Sequence, residues 1–153
     1  KYQIAVKEIN IHVQGVEMTE DKKMTRKEAR EFLMQTIYQM DMSKDFSADN
    51  VTKYMGKKHL GGQKSYCETL LGYLCLNIDT IDEKISRNSH KWKIERMPKT
   101  DISILRLAGT EISYMDDIPT AVSINEAVEL AKKYGTKDSP KFINAILGSI
   151  TRE

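Results

Sequence analysis

Lys22, Lys23, Arg26, Lys27 and Arg30 fall within one short stretch of the sequence, a density of cations that could neutralise a phosphate backbone. Arg26 and Arg30 are one helical turn apart, so a helix here sets them on a common face. The same stretch also reads as an ordinary solvated face, with Glu28 and Glu31 as intrahelical partners. A second basic group, Lys132, Lys133, Lys137 and Lys141, surrounds the segment KYGTKDSPKF. There Asp138 and Ser139 stand where a helix begins, and its free backbone amides could receive a phosphate or be capped internally. Phe142 follows, an aromatic that could stack on an unpaired base or simply fill a core position.

Catalysis has no comparable foothold. His12, His59 and His90 are scattered, neither Cys67 nor Cys75 has a partner at metal-ligand spacing, and no glycine-rich phosphate loop follows a strand. Asp116 and Asp117 are adjacent and just precede Pro119, the pattern of a helix-terminating turn more than of a paired acid and base. The expectation is therefore a non-enzymatic protein without metal or cofactor. The formal net charge of +2 decides nothing about nucleic acid, because binding depends on local clusters. The two cysteines, eight residues apart in a helical pattern, cannot readily face each other, so the chain reads as reduced and cytoplasmic. No apolar run approaches the roughly 18 to 20 residues that cross a bilayer.

The elements that must position these residues are helical. With 153 residues, 40% hydrophobic, 30% charged and 3 prolines, the chain suits one compact, well-solvated unit. Thr25 and Glu28 form a capping-box pattern ahead of Ala29, Phe32, Leu33, Ile37 and Met40, which predicts a first helix over about 25–41. A long connection follows to Gln63, with one short helical turn near Val51 to Lys57. Leu70, Leu71, Leu74, Ile78, Ile81 and Ile85 predict one long helix over about 64–86. Trp92, Ile94 and Met97 lead into Pro98, which opens a third long helix over about 98–116; it is apolar on much of its circumference and should be central. Val122 to Tyr134 continue at helical spacing, with Gly135 placed to end that helix in a left-handed conformation. Ser139 as cap and Pro140 at the first position open the last helix, with Phe142, Ile143, Ile146, Leu147 and Ile150 facing inward. The fold class is all-α: about five helices in a compact irregular bundle.

Residues 1 to 17 differ. Ile9, Ile11 and Val13 alternate with Asn10 and His12, which predicts a short extended strand outside the bundle, broken at Gly15. The run VKEINIHVQGV resembles the closing strand of the alkaline shock protein family. Residues 1–23 thus read as an extension, with Met18 and Met24 as alternative starts, and could be the remnant of an upstream domain or fusion; residues 24–153 read as the working domain.

Two segments carry a further resemblance. RKEARE (26–31) is similar to the arginine-rich opening of the NusB family of bacterial transcription antitermination factors. DISILRLAGTEISYMDDIPTAVSINEAVELAKKYGTKDSPKFINAILGSI (101–150) resembles the family's long C-terminal motif almost without interruption. The similarity spans about residues 24 to 152, and about 42 to 63 align poorly. The resemblance implies binding of single-stranded boxA RNA jointly with the ribosomal small-subunit protein NusE, and loading onto the RNA polymerase elongation complex with other Nus factors. It implies RNA contacts at Arg26, Lys27 and Arg30, flanked by Lys22 and Lys23, and at Asp138, Ser139, Lys141 and Phe142, with Lys137 between. Asp138, acidic among phosphates, would accept from a base or cap the helix. Asp101 matches an acidic contact for the ribosomal protein; Arg106 matches a position on the same helix and reads either as a partner contact or as a structural ion pair.

Two other classes stay open on sequence alone. Accessory domains of RNA cytosine methyltransferases resemble this family, but that reading needs a catalytic domain downstream. A helical protein-interaction module without RNA contact would be indifferent to charge reversal at Arg26 and Arg30.

Overall fold

The computed structural model describes residues 23–56, 59–90 and 92–153. The strand expected near Ile9 to Val13, and Lys22 of the first basic group, lie outside the described residues. Within them the chain forms seven α-helices, α1 (Arg26–Met42), α2 (Val51–Met55), α3 (Lys64–Leu76), α4 (Ile78–Asn88), α5 (Lys99–Tyr114), α6 (Thr120–Tyr134) and α7 (Ser139–Thr151), joined by short 3-10 turns. No strand occurs among the described residues.

α5 is the axis of the bundle, as its composition requires. Every residue from Asp101 to Glu111 is buried, and α1, α3, α4, α6 and α7 all pack on this helix. Ile102, Ile104, Leu105 and Leu107 are at most 2% exposed. Burial of each such side chain contributes roughly 1.5–3 kcal/mol. α1 lays Leu33, Ile37 and Met40 against this axis, and α7 adds Ile143, Ile146, Leu147 and Ile150. The expected capping box at the start of α1 is complete. The Glu28 amide donates to Thr25 Oγ1 (3.0 Å), and the Thr25 amide donates to Glu28 Oε1 (2.9 Å).

Three local expectations are corrected. The single helix expected over 64–86 is two, α3 and α4, because Asn77 leaves helical geometry at φ −127°, ψ 23°. Its amide side chain donates to the Tyr73 carbonyl (2.8 Å), which its backbone amide also reaches (3.0 Å). A side chain bonded to its own preceding turn competes with the helix ladder. The apolar stripe continues in phase across the break, so periodicity does not reveal it. Gly135 is extended (φ −92°, ψ −170°), not left-handed. α7 starts at Ser139 with Asp138 in the cap position, and no side chain caps its amides. The Ser139 hydroxyl turns back instead and accepts from the Thr136 amide (2.9 Å), holding the α6–α7 turn. Gly135 is needed for that approach, since a Cβ there would lie 2.6 Å from the Ser139 side chain.

Candidate nucleic-acid interface

The first basic group occupies the start of α1, and the structure divides it. Lys23 and Lys27 are exposed. The Lys27 ammonium reaches only a distant contact with Glu126 (4.0 Å) and keeps 66% side-chain exposure. Arg26 is half-buried and held in place: its Nε donates to Gln63 Oε1 (2.6 Å), and its guanidinium lies 3.9 Å from the centre of the Tyr66 ring. It faces a cleft also lined by Ser65, Tyr73, Tyr114, Asp116 and Asp117. A guanidinium fixed in plane loses little freedom on gripping a phosphate.

Arg30 shares the face of Arg26 but turns inward. It is 5% exposed and pairs at two points with Glu111, Nε to Oε2 at 2.8 Å and Nη2 to Oε1 at 3.1 Å. Burial alone would lower its pKa; the hydrogen bonds it donates to Glu111 and the charge of that carboxylate outweigh burial and hold Arg30 protonated. Glu111, on α5, also accepts from the hydroxyls of Tyr66 and Ser123. Burial beside this carboxylate pushes the Tyr66 phenol up. The cation expected to meet RNA is thus consumed in joining α1, α3, α5 and α6.

The second group sits at the α6–α7 turn. Lys132, Lys133, Lys137, Asp138 and Lys141 are exposed, whereas Ser139 is 1% exposed with its hydroxyl committed to the turn. The Ser139 amide is committed as well, donating to the Thr136 carbonyl (3.2 Å), so Ser139 serves the turn with both its hydroxyl and its backbone N–H. Phe142 is half-buried against the core, one edge-to-face contact from Trp92 (centroids 6.2 Å apart, planes at 74°). The ring is anchored against the core, while part of it reaches the surface.

The two groups are tied along one side of the molecule. Lys133 donates to both Glu31 oxygens at 3.0 Å, and the Tyr134 hydroxyl reaches the same carboxylate, which pins the end of α6 to α1 one turn beyond Lys27. Lys133 is thereby partly spent on structure, while Lys27, Lys137 and Lys141 project outward.

Asp101 and Arg106 are both buried on α5. Asp101 is 3% exposed, and its Oδ1 has no hydrogen-bond partner. Burial pushes its carboxyl above the usual range, opposed by the Ser139 hydroxyl beside it. Arg106 is a structural ion pair: Nε and Nη2 donate to Asp82 (2.8 and 2.9 Å), and Nη1 lies 3.2 Å from Asp41. Among the described residues no cluster of His, Cys, Asp or Glu is arranged to hold a metal ion, and no helix is long and apolar enough to cross a membrane. Cys67 and Cys75 are both buried free thiols, with pKa values pushed by burial to about 11.

Gln63 and Tyr66, which orient Arg26, were not singled out by sequence; nothing in a loop glutamine or a helical tyrosine announces a contact with the start of α1.

The NusB family model matches residues 27–152. A transcription antitermination protein NusB of Alkaliphilus oremlandii is 42% identical over 131 residues, covering 85% of this chain and 95% of the relative. One from Listeria monocytogenes is 39% identical over 130 residues, 85% of this chain and 98% of the relative. Among solved structures, T. maritima NusB superposes with a TM-score of 0.76 at 32% identity, covering 86% of this chain and 93% of that one. A chain in the crystal structure of a plectonemic RNA supercoil has the same fold, with a TM-score of 0.69 at 24% identity, over 83% of this chain and 94% of that one.

Proposed function

The chain belongs to the NusB family, and on that premise we propose that it is a transcription antitermination factor that binds boxA-type single-stranded RNA together with the ribosomal protein NusE. In this role it supports processive transcription of ribosomal RNA operons, joining the polymerase through other Nus factors. The observation that carries the reading is the placement of Lys23, Arg26 and Lys27 and of Lys137 and Lys141 at two helix starts that Lys133, Tyr134 and Glu31 tie together. Phosphates along a single strand would meet these cations, and the start of the last helix would add the Asp138 carboxylate, as an acceptor, and the edge of Phe142 to read bases. Arg30 serves the site indirectly, by fixing the helix that carries Arg26 and Lys27. Asp101 is proposed as part of the NusE-binding face, reached through its neighbours on the first turn of α5, since its own carboxyl is covered. The family relatives are matched over almost their whole length and are antitermination proteins, which favours this reading over the methyltransferase accessory domain.

The test is competition between a boxA-like RNA and a scrambled RNA of equal length, with and without NusE. The proposal requires tighter binding of the boxA-like strand and a further gain when NusE is present. Equal affinity for both strands under both conditions would remove sequence-specific recognition.

A further inference from the structure

We propose that Trp92 is a base-stacking residue, forming with Phe142 an aromatic step that extends the RNA path beyond the α6–α7 turn. The inference rests on the RNA-binding reading above and adds a residue and an element, the loop after α4, that neither the motifs nor the relatives assign.

Trp92 is the only tryptophan of the chain, and it is 52% exposed. A lone exposed aromatic needs no explanation, so the argument rests on how this one is held and what surrounds it. Its backbone is fastened at both ends to a single residue: the Trp92 amide donates to the Ser89 carbonyl (3.3 Å), and the Trp92 carbonyl accepts from Ser89 Oγ (2.6 Å). Ser89 is itself buried, and its hydroxyl also reaches the Ser86 carbonyl (2.8 Å). Between them His90 adopts a positive φ of 57°, a conformation unfavourable for a side chain with a Cβ. The loop is thus built tightly around a residue whose side chain remains half in water.

The Phe142 ring meets Trp92 edge to face, which fixes the indole without covering it. Phe142 belongs to the second candidate RNA segment, so Trp92 stands next to it although the two are fifty residues apart in sequence. The sequence neighbours of the two rings are cationic on balance: Lys93 and Arg96 just after Trp92 and Lys141 just before Phe142 are exposed, with Glu95 the acid among them. A rigid, amphipathic ring beside cations is the combination that binds unpaired bases, since stacking needs only a π-face while nearby charges hold the backbone. Of the other exposed aromatics, Tyr73 already has its ring stacked on Tyr114 (centroids 5.4 Å apart), and Tyr38 lines an apolar cleft with Met34 and Met42. Leu76, at 73% exposure, and Met42, at 59%, have neither an aromatic ring nor a planar polar group to offer a base.

Because the tryptophan is single, its own fluorescence reports the contact. Titration of the full chain with boxA-like single-stranded RNA should quench Trp92 emission with the same midpoint as the anisotropy of labelled RNA. Trp92→Ala should weaken binding roughly tenfold or more, as for loss of one base stack, with the salt slope unchanged because no phosphate contact is lost. Trp92→Phe should retain most of the affinity, and it keeps the test valid should the alanine variant fold poorly. Quenching absent while anisotropy still reports binding, or full affinity in a folded Trp92→Ala, would overturn the inference and leave RNA binding intact. Emission that changes only on addition of NusE would assign Trp92 to a protein contact instead. No RNA binding in either readout would overturn both readings together.

Discussion

The guanidinium of Arg30 and the carboxylate of Glu111, 81 residues apart in the chain, form a two-point ion pair in which both side chains are at most 7% exposed. Removing one partner from such a pair strands the other charge, at a cost of about 3–5 kcal/mol. Arg30→Met should therefore lower the urea-unfolding free energy by that amount, because Tyr66 and Ser123 can still bond Glu111 but cannot neutralise it. A loss below about 1 kcal/mol would mean that the pair is not the cross-brace described above.

Lys27 predicts the opposite profile. It is exposed and only loosely paired, so Lys27→Ala should leave the unfolding midpoint nearly unchanged. The same substitution should remove one phosphate contact, weakening RNA binding at low salt and reducing the salt slope by about 0.7. Comparing unfolding with RNA titration for Arg30→Met and Lys27→Ala separates the cation that builds the site from one that meets the ligand.

Stability should depend on pH through Asp41. Its carboxylate lies 3.1 Å from Lys99 and 3.2 Å from Arg106. Burial pushes the carboxyl up, but the contacts with these two cations outweigh it and hold Asp41 below its ordinary value of 3.8. The folded state therefore releases this proton more readily than the unfolded chain. The contribution is complete above the ordinary value and is lost as pH falls through the lower folded value. Asp41→Asn should cost about 1.5–3 kcal/mol at neutral pH, and the gap to the parent protein should close in acid below that ordinary value. A gap constant with pH would place the loss in packing and not in charge.

At Gly135 the demand is steric. A Cβ would fall 2.6 Å from Ser139 and 2.8 Å from the Ala131 carbonyl, so Gly135→Ala must shift the turn that presents Lys137 and Asp138. A destabilisation of about 1–3 kcal/mol is expected for such overpacking, together with weaker RNA binding. An alanine variant with unaltered melting and RNA affinity would show the close approach to be dispensable.

Much of this architecture was legible in the sequence because it follows from periodicity and capping. The capping box of Thr25 and Glu28, the central burial of α5 and the inward face of α7 all arise from spacings within a single helix. What sequence left open depends on tertiary neighbours. The break at Asn77 is a choice between a side chain and a backbone acceptor that leaves the apolar stripe in phase. Arg26 and Arg30 look alike in the motif RKEARE; only the position of Glu111 on another helix makes one structural and leaves the other beside Tyr66. Ser139 carried the signal of a helix cap, yet its hydroxyl bonds backward to Thr136, a geometry set by the extended Gly135. Trp92 stood in the sequence as a lone aromatic among basic residues, and its neighbour Phe142 became visible only when α4 and α7 were packed together.

The most direct test of the central claim is the salt dependence of binding to a labelled boxA-like single-stranded RNA, followed by anisotropy from about 50 to 200 mM salt. With about four to six phosphates neutralised by the two basic groups, log affinity should fall against log salt with a slope of roughly 3 to 4. The double substitution Lys27→Ala and Lys141→Ala should lower that slope by about 1.4. A flat salt response, or a slope that the double substitution leaves unchanged, would contradict the assignment of these two helix starts as the RNA-binding surface.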